Sequence, residues 1–177
     1  MDIDQICSIC KLPPEVSKDF KKTGVTRLYE WQQDCICSSD IINGACLIYC
    51  APTSGGKTLI AELLILVNVI SLGKTAILVL PYVSLVLEKE RDLKRLLSHY
   101  NKYQSPRQRI RVKSVYGQVG ITKKGLNDQI IICTIEKANS ILNSFISSGR
   151  IDRLGIIAID ELHVLGDADR GFLLIIY

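Results

Sequence analysis

Two short segments of this sequence hold residue types that could act together on phosphate. The first is Ala51-Pro52-Thr53-Ser54-Gly55-Gly56-Lys57-Thr58. It matches the phosphate-loop pattern G-x-x-x-x-G-K-[ST], except that Ala51 replaces the first glycine. Gly55 and Gly56 let the backbone turn tightly, so successive N–H groups can donate to phosphate oxygens. Lys57 offers a compact cation for the β and γ phosphates and Thr58 a hydroxyl for Mg2+. A helix starting at Lys57 would aim its positive end at the same anions. A strand-to-helix turn that needs glycine only for its shape would look similar. The second segment is Ile156-Ile157-Ala158-Ile159-Asp160-Glu161-Leu162-His163. Here an apolar run ends in adjacent carboxylates. Asp160 would hold Mg2+ through water, and Glu161 would polarise an attacking water as general base. By itself this could be a solvated acidic turn. Joined to the loop upstream, it points to nucleoside-triphosphate hydrolysis.

These residues need elements that bring them to one place. Pro13-Pro14 opens a short helix to about Lys22, ended by Gly24, and a second helix is expected from Tyr29 to near Ile42. A compact strand from Ala45 to Cys50 precedes the Gly-rich turn, and a helix from Lys57 to about Leu72 follows it. Thr75 to Leu80 reads as the next strand, Val83 to His99 as an amphipathic helix, and Asn101 to Arg109 as a basic linker. Further strands are expected near Ile110 to Tyr116, Gln129 to Cys133 and Leu154 to Ile159, with a helix from Ile135 to Ile146. Near-continuous Ile, Leu and Val in strands bounded by helices predicts an α/β fold: a mostly parallel sheet covered on both faces. In such sheets ligands bind outside the carboxyl ends of the strands, where both polar segments fall.

Composition agrees with a folded chain of 177 residues, 47% hydrophobic and 23% charged, long enough to bury a core. The net charge of +4 is compatible with a polyanionic partner but does not argue for one. Arg107, Arg109, Arg111, Lys113, Lys123 and Lys124 add basic character, yet charge runs are usually solvated faces, and none is assigned a role. The acidic N-terminus lacks a basic-then-apolar signal, and the apolar stretch Leu59 to Leu72 is too short to span a bilayer. No membrane partner is expected. Seven cysteines without an export signal suggest reduced thiols in the cytosol or nucleus. Cys7-x-x-Cys10 and Cys35-x-Cys37 could together supply four thiolates for zinc, but no histidine flanks either pair. Ordinary thiols are the preferred reading.

The ordered motifs resemble the superfamily 2 DExH-box helicases. Within that superfamily they are similar to the group formed by the helicase region of DNA polymerase theta and the polymerase-theta-like helicase. The likeness runs through Leu28-Tyr29-Glu30-Trp31-Gln32, the Ala51 to Thr58 loop, Leu80-Pro81-Tyr82-Val83-Ser84, Cys133 to Asn139, and Asp160 to Gly171. It implies a RecA-like ATP-binding domain from residue 28 to 177 behind a lead-in of residues 1–27. It also implies ATP and Mg2+ as cofactors, with Pro52, Thr53, Ser54, Gly55, Gly56, Lys57 and Thr58 around the phosphates, and Thr58 and Asp160 on the metal. Gln32 would read the adenine edge, Tyr29 would pack near the base, and His163 would couple the hydrolysis site to the nucleic-acid side. Pro81, Ser84, Thr134, Glu136 and Lys137 match the motifs that grip a single-stranded backbone. Both gripping segments fall where a strand gives way to a helix, so helix N-termini and hydroxyls can meet phosphates, though ordinary helix capping would look the same. Asp167 and Arg170-Gly171 also fit the pattern, without an assigned role.

Ser54 stands where many helicases of the superfamily have glycine, which narrows the match to the polymerase-theta group. A Ser-Ala-Thr-like strand and a second motor domain with an arginine finger do not follow His163, so the domain is expected to be C-terminally incomplete. The implied function is the ATP-binding portion of a nuclear, ATP-dependent DNA helicase that moves 3′ to 5′ on single-stranded or forked DNA. This chain alone is expected to be nearly inactive. A non-catalytic nucleotide- or nucleic-acid-binding fragment and an RNA helicase are the alternatives.

Overall fold

A computed structural model of the chain describes residues 1–38, 41, 44–52, 55–118 and 129–161. Four strands form one all-parallel sheet: β1 (Thr75–Leu80), β2 (Val112–Val115), β3 (Ile130–Thr134) and β4 (Leu154–Ile159), in the order β2-β3-β1-β4. Among the described residues, the α-helices around it are α1 (Ile3–Ile9), α2 (Pro14–Lys22), α3 (Glu30–Cys37), α4 (Lys57–Leu66), α5 (Val83–Leu96), α6 (Ser98–Lys102) and α7 (Ile135–Ser147). The mixed α/β architecture is that of a RecA-like domain.

The strand pleat explains the two cores. Ala76, Leu78, Leu80, Ile130 and Ile132 project to one face and join α1, α2, α4 and α5 in the larger core. Ile77, Val79, Ile131 and Cys133 project to the other and meet Ile135, Ala138, Ile141 and Phe145, which lie along one stripe of α7. All residues of β1 and β3 are buried, as expected of inner strands. Truncating a side chain such as Leu78 to alanine would cost about 2–5 kcal/mol.

The structure departs from the sequence expectations at four places. Residues 1–27 carry an unpredicted helix, α1, held by a reciprocal cap: Asp2 accepts the Gln5 N–H at 2.9 Å, and Gln5 accepts the Asp2 N–H at 3.1 Å. Its Ile3 and Ile6, with Phe20 of α2, enter the main core. Helix α3 stops at Cys37, because Ser38 takes an extended conformation. The long helix after the Gly-rich turn changes to a π-helical turn at Val67–Ser71. There Gly155 of β4 passes so close that a Cβ would lie 2.5 Å from Asn68 Oδ1 and from Lys74 Cβ.

The fourth departure concerns the expected strand from Ala45 to Cys50, which is not formed. Its residues enter no ladder, and Ile48 is 80% exposed. A strand exists through its partner's hydrogen bonds. Among the described residues nothing lies on the outer edge of β4 to supply them. β4 is accordingly half-exposed, with Ile157 and Ile159 each about two-fifths accessible.

Candidate nucleotide site and the groove beside it

Both chemistry-bearing segments meet at the carboxyl end of the sheet. The Gly55 N–H donates to the Pro52 carbonyl at 2.9 Å, closing the turn. Gly56 then takes φ +76°, a left-handed conformation, as the residue that caps α4. A Cβ at Gly56 would stand 2.5 Å from Gln32 Nε2, and one at Gly55 would stand 2.9 Å from the Pro52 oxygen. Neither glycine has room for a side chain, and α4 starts beside them at Lys57.

Lys57 Nζ donates to the Ala51 carbonyl at 3.0 Å, which places its charge over the loop. The Tyr49 hydroxyl donates to the Lys57 carbonyl at 2.8 Å, and the Tyr49 ring lies 5.9 Å from that of Trp31. Burial, then the charge of Asp160, pushes the Tyr49 phenol up to about 12, so it stays a donor. The sequence reading missed this brace because it treated the segment as a plain strand.

Asp160 closes the site from the other side. Its N–H donates to the Val79 carbonyl at 3.1 Å, extending the β4–β1 pairing by one bond. Its Oδ1 accepts the Glu161 N–H at 2.9 Å, and its Oδ2 accepts the Thr58 hydroxyl at 3.3 Å. A hydroxyl and a carboxylate that converge in this way form an oxygen donor set of the kind Mg2+ takes. Beside the loop, this set fits a Mg2+-bound triphosphate. Glu161 follows with φ +58°, rare for a residue with a side chain and found mainly where surrounding structure enforces it.

Gln32 is buried at 1% exposure. Its Oε1 accepts the Tyr29 N–H and its Nε2 donates to the Gly56 carbonyl, both at 2.9 Å. The carboxamide thus links the start of α3 to the phosphate loop, with its acceptor and donor both engaged inside the chain. Tyr29 itself is 64% exposed. Thr53, Ser54 and His163 lie outside the described residues, as do Lys123, Lys124 and the segment from Asp167 to Gly171.

A groove of about 420 Å³ opens at the same end of the sheet, lined by Pro81, Tyr82, Val83, Gly117, Thr134, Glu136 and Lys137. Helices α5 and α7 both begin at it, with Tyr82 and Thr134 as their extended caps. Two helix N-termini bordering one groove favour an anion. Four of the five residues expected to grip a backbone are here together. Ser84 is exposed on the first turn of α5 but is not in the lining. Gly117, just past β2, belongs to the groove and carried no sequence signal beyond its position after a strand.

The four cysteines of the two short spacings fall on or next to α1 and α3 and are free thiols. Among the described residues no group of three or more His, Cys, Asp or Glu is placed to hold a metal. No helix there is long and apolar enough to cross a membrane.

A family model for the DEAD/DEAH box helicases matches residues 29–175. DNA polymerase theta of Mus musculus is 39% identical over 163 residues, spanning 92% of this chain and 6% of that protein. The Helicase POLQ-like protein of Homo sapiens is 38% identical over 151 residues, 84% of this chain and 13% of that one. The ATP-dependent DNA helicase Hel308 of Caldivirga maquilingensis is 32% identical over 168 residues, 93% of this chain and 21% of its own. The chain therefore spans only a small part of the relatives it matches. Among solved structures, the crystal structure of the DUF1998 helicase MrfA superposes with a TM-score of 0.67 at 20% identity, covering 86% of this chain and 24% of that one. That likeness bears on the fold alone.

Proposed function

This chain belongs to the DEAD/DEAH box helicase family, and from that premise we propose that it is the ATP-binding portion of a nuclear, ATP-dependent DNA helicase. In this reading residues 28–177 belong to one RecA-like motor domain. Hydrolysis drives 3′ to 5′ movement along single-stranded DNA. DNA is preferred to RNA because the relatives named above are a DNA polymerase and a DNA helicase.

The observation that carries the proposal is the Thr58 hydroxyl at 3.3 Å from the Asp160 carboxylate. It joins the phosphate loop to the Asp-Glu pair across the carboxyl end of the sheet. Around a bound Mg·ATP, Lys57 would neutralise terminal phosphate charge, and the N–H groups of Gly56, Lys57 and Thr58 at the start of α4 would bind phosphate oxygens. Thr58 and Asp160 would hold the metal, which supplies charge neutralisation when bound. Glu161 would accept the proton of the attacking water. Gln32 ties the base-side helix to the loop. Pro81, Thr134, Glu136 and Lys137 would hold the single strand in the groove, with Ser84 at its margin. Thr53 and Ser54 would complete the phosphate loop, and His163 would couple the two sites.

The test is binding by the 177-residue chain of a fluorescent ATP analogue with and without Mg2+, and of single-stranded DNA and RNA of one sequence. Mg2+-dependent nucleotide binding together with stronger binding to DNA is expected. Nucleotide binding indifferent to Mg2+ would remove the metal assignment, and a preference for RNA would remove the substrate.

A further inference from the structure

The connection between α6 and β2 has no part in the nucleotide site or the groove. No aspartate or glutamate occurs between Asp92 and Asp128, a stretch that holds nine lysines and arginines in a chain of net charge +4. Within it residues 103–109 make a loop with fixed ends. The Asn101 side chain donates to the Ile110 carbonyl at 3.0 Å and accepts the Ile110 N–H at 2.8 Å, and Ile110 is buried. Inside the loop, Gln108 and Arg109 donate their N–H groups to the Ser105 carbonyl at 2.9 and 3.2 Å, and the Ser105 hydroxyl donates to Gln108 Oε1 at 2.8 Å. Beneath it the buried Asp19 carboxylate accepts the Tyr100 N–H at 3.2 Å, anchoring α6 to α2.

This ordered loop presents Arg107 and Arg109 to solvent, beside Lys102 at the end of α6. It also presents Tyr103, 63% exposed, with the His99 ring set edge-on at 5.0 Å and the Lys102 ammonium 6.0 Å from its centre. A merely solvating surface needs neither an internally bonded loop nor an exposed aromatic ring held in place. Cations alone would suit an acidic peptide equally well. Cations around a supported ring suit a strand that offers both phosphates and flat bases.

We propose that this loop is a second binding site for single-stranded nucleic acid, with Lys102, Arg107 and Arg109 on phosphates and Tyr103 stacked on a base. It stands apart from the groove and does not depend on the groove's assignment. Edge strand β2 leads from the loop towards Gly117 in the groove, about 13 Å for four residues, with Lys113 half-exposed on the way.

The experiment is fluorescence anisotropy of the 177-residue chain with labelled oligothymidine across a salt series. The triple variant Lys102→Gln, Arg107→Gln, Arg109→Gln is expected to bind about tenfold or more weakly at low salt. Its slope of log affinity against log salt should fall by about 2, since each phosphate contact on a single strand contributes about 0.7. Tyr103→Ala should lose about fivefold or more with its slope unchanged, the signature of lost stacking. Lys137→Gln, measured alongside, reports on the groove separately. A triple variant with parental circular dichroism, affinity and slope would overturn the proposal whatever Lys137→Gln does. So would a parent chain that does not bind oligothymidine, or a triple variant that loses polyglutamate but keeps DNA.

Discussion

Lys57 Nζ already lies over the loop, 3.0 Å from the Ala51 carbonyl, so a terminal phosphate would exchange a neutral acceptor for a charged one. A charge-assisted hydrogen bond of this kind is worth about 1.5–3 kcal/mol. Lys57→Ala is therefore expected to weaken ATP binding about tenfold or more by isothermal titration calorimetry, and unchanged affinity would remove Lys57 from the site. Glu161→Gln keeps the shape of the side chain and discards the base. In the chain extended through a second motor domain, ATP affinity should hold while turnover falls about a hundredfold or more. Turnover within about twofold of wild type would end the general-base assignment. Gln32 is the residue whose environment changes its reading most. The family resemblance gives its carboxamide to adenine; here the same group accepts the Tyr29 N–H and donates to the Gly56 carbonyl, and an amide has a second N–H and a second lone pair to offer a base. Gln32→Ala would leave the Gly56 carbonyl only the Leu59 N–H at 3.2 Å and loosen the loop under any base. A larger loss for ATP than for GTP or UTP is expected from the adenine role, and equal losses for all three would leave Gln32 a structural residue only.

At the scale of elements, the decisive join is the entry to α4. A left-handed Gly56 and the amide of Gln32 packed against it hold the loop and the first turn of the helix in one geometry. Gly56→Ala would force a side chain into the left-handed region, costing about 1–2 kcal/mol before its contact with Gln32 is counted. For a domain of this size that corresponds to a fall in melting temperature of about 2–8 °C. Calorimetry should show that fall together with loss of nucleotide binding. A variant as stable as the parent that still binds ATP would mean the turn tolerates a side chain and the loop geometry is wrong. At the other end of β4, Gly155 serves a packing need instead, allowing the strand to pass under the π-helical turn.

For the molecule as a whole, the cysteines report how the chain is packed. Cys7 and Cys133 are buried, and burial, with a smaller contribution from neighbouring anions, pushes both thiols up to about 12. Cys10 is half-buried and raised to about 11 for the same first reason. Cys37, Cys46 and Cys50 are exposed. The thiolate is the reacting form, so a thiol raised well above the working pH reacts slowly, and its rate climbs with pH until the folded pKa is reached. Alkylation near pH 8, followed by mass spectrometry, should modify Cys37, Cys46 and Cys50 first. Cys7 and Cys133 should stay unmodified until denaturant is added. Early labelling of Cys133 would show that the α7 face of the sheet is not closed.

The sequence alone determined whatever depends on neighbours in the chain. The phosphate loop was legible because glycine freedom, a lysine and a threonine must follow one another there. The Asp160-Glu161 pair was legible because an apolar run ends directly on it, and β1 because six residues carry no polar interruption. Pro81, Thr134, Glu136 and Lys137 were named through the family resemblance, because a strand-to-helix boundary alone reads equally well as helix capping. Tertiary structure alone decided that Thr58 meets Asp160, that the amide of Gln32 serves the loop, and that Tyr49 braces Lys57. It also decided that Ala45 to Cys50 forms no strand despite its composition, and that the basic linker is an ordered loop. In each of these cases the outcome hangs on a hydrogen-bond partner from another part of the chain. A side chain's own chemistry fixes what it could bond, and only packing fixes which partner comes within reach.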